Sequence, residues 1–218
     1  MTLNEKIEIP KYTLGEEITN AILHGLGALL SIAALVLCVA FSAFHGNGYA
    51  VVSSCIYGST LVILYMMSCL YHSFKINNTK RVFRIIDHCS IYLLIAGTYT
   101  PYTLVSLNGS LGWTMFGIIW GLAIFGIFLN AIDMNKYKVL SMILYLTMGW
   151  AVMFTFRPLL KAVPIGGIYL LLAGGIIYTI GAIFYGIGRK YKYMHSIWHF
   201  FVLTGSILHF FSILLYVV

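Results

Sequence analysis

The chain has 218 residues, of which 61% are hydrophobic and only 9% charged, and it carries a formal net charge of +7. Such a composition excludes an ordinary water-soluble globule and marks an integral membrane protein. The basic excess requires no nucleic acid, because lysines and arginines that border apolar stretches contact anionic lipid headgroups.

Seven apolar stretches of roughly 18 to 27 residues are each long enough for a membrane-spanning helix. The predicted fold is an all-α bundle of seven transmembrane helices: residues 1–17 form a short cytoplasmic arm and 18–218 a single membrane domain. The first span, Ile18–Phe44, is too long and begins too late for a cleaved signal peptide, so it is expected to remain. Glu17, Asn20 and His24 form a polar stripe at its start. That stripe either faces a functional cavity, or Glu17 is interfacial while Asn20 and His24 bond a neighbouring helix.

The second span, Tyr49–His72, ends with Ser68 one turn before His72. The third, Ile85–Leu107, carries Asp87 near its start. The fourth, Leu111–Ala131, contains Gly117-xxx-Gly121, and the sixth, Gly166–Gly186, contains Gly174, Gly175 and Gly181; these glycines are expected to permit close helix contact. The fifth is Val139–Phe156. The seventh, His195–Val217, opens with His195-Ser-Ile-Trp-His199, which stacks two imidazoles on one helical face.

Basic residues set the orientation. Lys6 and Lys11, then Lys75, Lys80, Arg81 and Arg84, then Lys136 and Lys138, and finally Arg189, Lys190 and Lys192 fall on one side, against Arg157 and Lys161 on the other. The positive-inside rule puts the N-terminus in the cytoplasm and the C-terminus outside. This orientation excludes a G-protein-coupled receptor topology. A retinal protein is excluded as well, since the final lysine, Lys192, precedes the last span.

With that topology, His72, Asp87, His195 and His199 reach the same depth on the cytoplasmic side. Ionisable groups at membrane depth are costly unless they share a partner, and three helices converging in this way predict a divalent metal site, with a plain hydrogen-bonded cluster as the alternative. Three neutral imidazoles with one open position are the ligand set of catalytic zinc. Asp87 would hold and deprotonate the water that such a metal activates, though direct ligation by Asp87 or by the nearby soft donor Cys69 stays open. Ser68 either points its hydroxyl at a substrate carbonyl or bonds its own helix backbone. His88, about 100° around the helix from Asp87, is expected to contact another helix or the headgroups. His209 lies roughly 21 Å further along its helix than His195, too far to share the metal. His45 is expected to be exposed.

Taken together, Glu16-Glu17-Ile-Thr-Asn20 leading to His24, Ser68-xxx-His72, Asp87 and His195-xxx-His199 resemble the hemolysin III family. That family belongs to the progestin and adiponectin receptor superfamily and is distantly similar to the alkaline ceramidases. The resemblance implies zinc on His72, His195 and His199, Asp87 on the metal-bound water, Ser68 lining the site, and a cavity open to lipid. A zinc-dependent hydrolase acting on a lipid amide or ester is the expected function, with a membrane lipid as substrate or ligand. A lipid-responsive sensor with structural zinc and a pore-forming cytolysin are the alternatives. The expected location is a bacterial plasma membrane.

Overall fold

The computed structural model describes residues 7–188 and 191–218, so Lys6, Arg189 and Lys190, three of the charges used for orientation, lie outside the described residues. The first helix, α1 (Leu14–His45), begins before the expected Ile18 because Thr13 and Glu16 form a capping box. Thr13 Oγ1 accepts from Glu16 N at 3.3 Å, and the Glu16 carboxylate accepts from Thr13 N at 2.8 Å. Two orphan amides are thereby satisfied, and Glu17 sits inside the helix rather than in a loop.

In α1 the usual arrangement of a soluble helix is inverted. Asn20, His24, Gly27, Ser31 and Ser42 are buried, while Leu26, Leu29, Val36 and Leu37 face outward. Lipid is the solvent here, so leucines cover the outside and small or polar residues meet the neighbouring helix. The next helix, α2 (Gly48–Ser73), returns antiparallel to α1 after an Asn47 cap, and Ser42 Oγ and Ser54 Oγ join the pair at 2.6 Å.

Asn77 caps α3 (Asn78–Pro101), which continues into a π-helical turn over Tyr102–Leu107. Helical structure resumes in α4 (Gly109–Trp150), a stretch broken at Asp133, whose φ of −160° and ψ of 91° are not helical. The expected connection between Ala131 and Val139 thus shrinks to one residue, with Asp133 Oδ1 capping the second limb through Lys136 N at 3.0 Å. Ser141 Oγ donates to Asn130 Oδ1 at 2.7 Å, yet eleven residues of straight helix would separate them by roughly 16 Å. The chain therefore reverses at Asp133, and the two limbs pack side by side. A 3₁₀ turn, Ala151–Thr155, and the short α5 (Phe156–Ala162) follow, then α6 (Ile165–Ile187) and α7 (Met194–Tyr216).

Among the described residues five helical stretches are long and apolar enough to cross a membrane: α1, α2, Gly109–Ala162, α6 and α7. The third helix is not among them, since its first turns carry Lys80, Arg81, Arg84 and Asp87. The chain is an all-helical, multi-pass integral membrane protein.

Close helix approach does occur, but not at every expected glycine. A Cβ on Gly174 would lie 2.4 Å from His209 Nε2, and one on Gly181 would lie 2.9 Å from Phe201 Cβ. Gly117, Gly121 and Gly175 meet nothing within 4 Å. The Gly117-xxx-Gly121 pair thus lies on the lipid side of α4 and holds no helix of this bundle. Further tight crossings lie at Gly58 against Leu35, Gly97 against Thr60 and Gly126 against Tyr92.

Candidate metal centre

Four helices meet at the end of the bundle where α1, α3 and α7 begin and α2 ends. The last turns of α2 present Ser68 and His72 on one face, α3 contributes Asp87, and α7 contributes His195 and His199. All five are buried. One ligand atom from each of His72, His195 and His199 lies within 4.8 Å of the others, and His72 Nε2 is 3.1 Å from His199 Nε2. Two ligands of a tetrahedral zinc, each about 2.0–2.1 Å from the ion, stand about 3.3 Å apart, so little movement would seat an ion.

The donor chemistry fits as well. His195 Nε2 is buried with no hydrogen-bond partner, a costly state for a polar atom unless something supplies a partner. Three imidazoles suit zinc and other borderline divalent ions. Cys69 and Asp87 do not belong to this cluster.

Asp87 instead borders the large interior cavity, with Ser68 beside its carboxyl. Ser68 Oγ, fully buried, makes no hydrogen bond of normal geometry and so is not committed to its own helix backbone. The hydroxyl lies toward the Asp87 carboxyl.

The polar stripe of α1 faces this centre. Glu17 Oε2 accepts from His72 Nδ1 at 2.7 Å. Asn20 Oδ1 accepts from Ser196 Oγ at 2.6 Å, and His24 Nε2 pairs with His199 Nδ1. Asn20 and His24 do bond a neighbouring helix, whereas Glu17 is engaged with His72 and Lys80 and is not simply interfacial.

Several contributors were not singled out from the sequence. Tyr12, in the arm, stacks on His195 with ring centroids 4.9 Å apart and planes inclined by 23°. Burial pushes its phenol above the ordinary tyrosine range, so the hydroxyl stays protonated. Arg84 donates to Glu8 O, holding the arm against α3, and a small pocket remains between Pro10, Tyr12, Arg84 and His195. Lys80, counted above only as an orienting charge, is buried against Glu17. No sequence pattern marks these contacts, because each joins segments far apart in the chain.

The remaining histidines separate. His88 reaches another helix through Tyr185 Oη at 3.3 Å, yet its Nδ1 also lies 3.7 Å from Asp87 Oδ2. His209 accepts or donates at none of the cluster atoms; its Nε2 donates to Leu171 O at 3.0 Å, and it lines the interior cavity. His45 is exposed at the opposite end of α1.

That cavity has a volume of about 170 Å³. It begins at Asp87 and His24 and passes Ile91 and Leu94 to Tyr102 and His209. Fifteen residues of helix separate Asp87 from Tyr102, so it extends roughly 22 Å along the bundle interior. At about 10–15 Å³ for each water-sized group, it accepts on the order of a dozen heavy atoms.

Comparison with known proteins gives a consistent result. The profile of the family described as Haemolysin-III related matches residues 12–210. The chain is 44% identical over 215 residues to the Hemolysin-3 of Bacillus cereus, covering 99% of this chain and 98% of that protein. It is 45% identical over 207 residues to the Hemolysin-3 homolog of Bacillus subtilis (strain 168), covering 95% and 97%. Similarity extends to the human Monocyte to macrophage differentiation factor, at 30% identity over 211 residues, 93% of this chain and 85% of that protein. Apolar helices and Bacillus relatives of nearly equal length assign the chain to the bacterial plasma membrane.

Proposed function

Since the chain belongs to the haemolysin-III-related family, we propose that it is a metal-dependent hydrolase of lipid amides or esters, with zinc held by His72, His195 and His199. In this reading the chain crosses the membrane seven times, because the reversal at Asp133 divides Gly109–Ala162 into two crossings and α3 adds another. The N-terminus is cytoplasmic under the positive-inside rule, and the centre lies at the inner leaflet.

The observation that carries the proposal is the cluster of three histidines next to an apolar interior cavity, whose lining includes Asp87 and His24, the hydrogen-bond partner of His199. A lipid chain in the cavity would present its headgroup linkage to the histidines. When bound, a divalent ion acidifies water and polarises a carbonyl. Asp87 accepts the proton released as the carbonyl is attacked and returns it to the leaving group. Ser68 Oγ donates to the carbonyl oxygen as negative charge develops there. Tyr12 and Trp198, packed on the histidine rings, keep bulk water out and strengthen these interactions.

The test begins with the metal content of detergent-purified protein prepared without a nickel column or chelator. About one zinc per chain is expected, lost in His195→Ala and His199→Ala. Asp87→Asn should keep the metal and lower turnover of labelled ceramides or phospholipids by about 10²–10⁴-fold. Unchanged turnover in Asp87→Asn would remove the hydrolase reading.

A second reading has its own support, since the Bacillus relatives carry the name hemolysin. A cytolysin would make liposomes leak even with all three histidines replaced. Leakage that persists in such a variant favours lysis, and leakage that never occurs leaves the hydrolase.

A further inference from the structure

The ion pair of half-buried Glu17 with buried Lys80 neither ligates a metal nor meets a lipid directly. A lysine only 1% exposed at the end of a membrane helix nevertheless needs a reason, since an ammonium is costly there unless it is paired. Lys80 Nζ donates to Glu17 Oε1 at 2.6 Å and to Phe74 O at 3.0 Å, and lies 5.0 Å above the Tyr71 ring. The other oxygen of Glu17 accepts from His72 Nδ1 at 2.7 Å.

Because a carboxylate only accepts, that contact puts the His72 proton on Nδ1 and leaves Nε2 with a free electron pair. His72 Nε2 is the nitrogen 3.1 Å from His199 Nε2, inside the cluster. Asn20 Nδ2 also approaches His72 Nδ1, at 3.4 Å, but the shorter, charge-assisted contact to Glu17 decides the tautomer. The sequence Lys80, Glu17, His72 thus joins α3, α1 and α2 in one chain ending inside the histidine cluster.

We propose that Glu17, held in place by Lys80, is the positioning residue for the metal ligand His72, forming a carboxylate–histidine–metal arrangement. Glu17 fixes the ring's tautomer and direction and raises the basicity of Nε2. Lys80 offsets the carboxylate charge and ties it to the α2–α3 turn through Phe74 O. This inference rests on metal binding by the three histidines and is independent of whether a lipid is hydrolysed.

Glu17→Gln keeps the size of the side chain but weakens its acceptor and allows the wrong tautomer. Full-length protein loaded with zinc and titrated with a chromophoric chelator should show affinity about 10–100-fold below wild type. The cobalt-substituted variant should show shifted d–d absorption, because His72 is reoriented. The gain in melting temperature on adding metal should shrink, whereas a purely structural role would lower the metal-free and metal-loaded melting temperatures equally. Glu17→Asp, which retains the charge, should recover part of the affinity. If Glu17→Gln does not fold, Lys80→Gln serves, with weaker metal binding expected because the carboxylate loses its anchor.

Wild-type affinity together with an unchanged cobalt spectrum in Glu17→Gln, or in Lys80→Gln where that variant stands in, would overturn the proposal. Absence of metal in folded wild-type protein would instead overturn the metal-centre reading beneath it.

Discussion

Replacing Gly97 by alanine tests the helix packing that brings α2 and α3, and with them Ser68, His72 and Asp87, to one place. The new Cβ would lie 2.0 Å from Thr60 Oγ1 and 2.9 Å from both Thr60 Cβ and Cγ2. Rotating Thr60 about χ1 moves its oxygen, at the cost of its 2.8 Å bond to Tyr57 O, but leaves the Cβ in contact. The two helices must therefore separate, and overpacking of this kind costs up to about 3 kcal/mol. Alanine recovers about 1 kcal/mol through its greater helix propensity, leaving a net loss of about 2 kcal/mol. At roughly 2–4 °C for each kcal/mol in a chain of this size, the melting temperature should fall by about 4–8 °C. Tryptophan fluorescence during heating, in one detergent throughout, measures it. Gly117→Ala and Gly121→Ala are the controls, since a Cβ at either meets nothing within 4 Å. Those variants should melt at or above the wild-type temperature. A Gly97→Ala protein that melts with the controls would refute the packing argument.

Other consequences can be measured directly. Tyr12→Ala uncovers the face of His195 on which Tyr12 stacks at 4.9 Å, so the rate of metal loss to excess chelator should rise while the fold persists; an unchanged rate would mean the arm does not shield the centre. Ser141→Ala removes the 2.7 Å bond to Asn130 across the Asp133 reversal and should cost about 1 kcal/mol. Asn130→Ala should cost more, because it removes two bonds, to Ser141 and to Tyr145; equal melting temperatures for the two variants would contradict a shared network. Gly175→Trp should fill the cavity that Gly175 lines, keep the metal, and lower turnover of long-chain lipids. Unimpaired turnover would place the acyl chain elsewhere.

Much of the site was legible in the sequence because ionisable residues stand out in apolar spans. His72, Asp87, His195 and His199 could be placed at one depth from helix rise and loop charge alone, and the histidines do converge within 4.8 Å. The i, i+4 spacing of His195 and His199 decides that they share a face, and the same holds for Ser68 and His72.

Spacing along one helix does not say which neighbour that face meets. In water the apolar side of a helix marks its buried side, whereas in lipid small and polar residues mark the side that packs but do not say which helix it packs on. The sequence by itself therefore determined the apolar spans, the stripe of Glu17, Asn20 and His24, and the metal-ligand candidates. Only the tertiary structure turned that stripe toward the histidines and turned Gly117 and Gly121 toward lipid. It also folded Lys80 inward onto Glu17 and laid Tyr12 over His195, contacts between residues 63 and 183 positions apart in the chain. Each depends on how helices rotate against one another, which is a property of the assembled bundle and is not encoded in any single span.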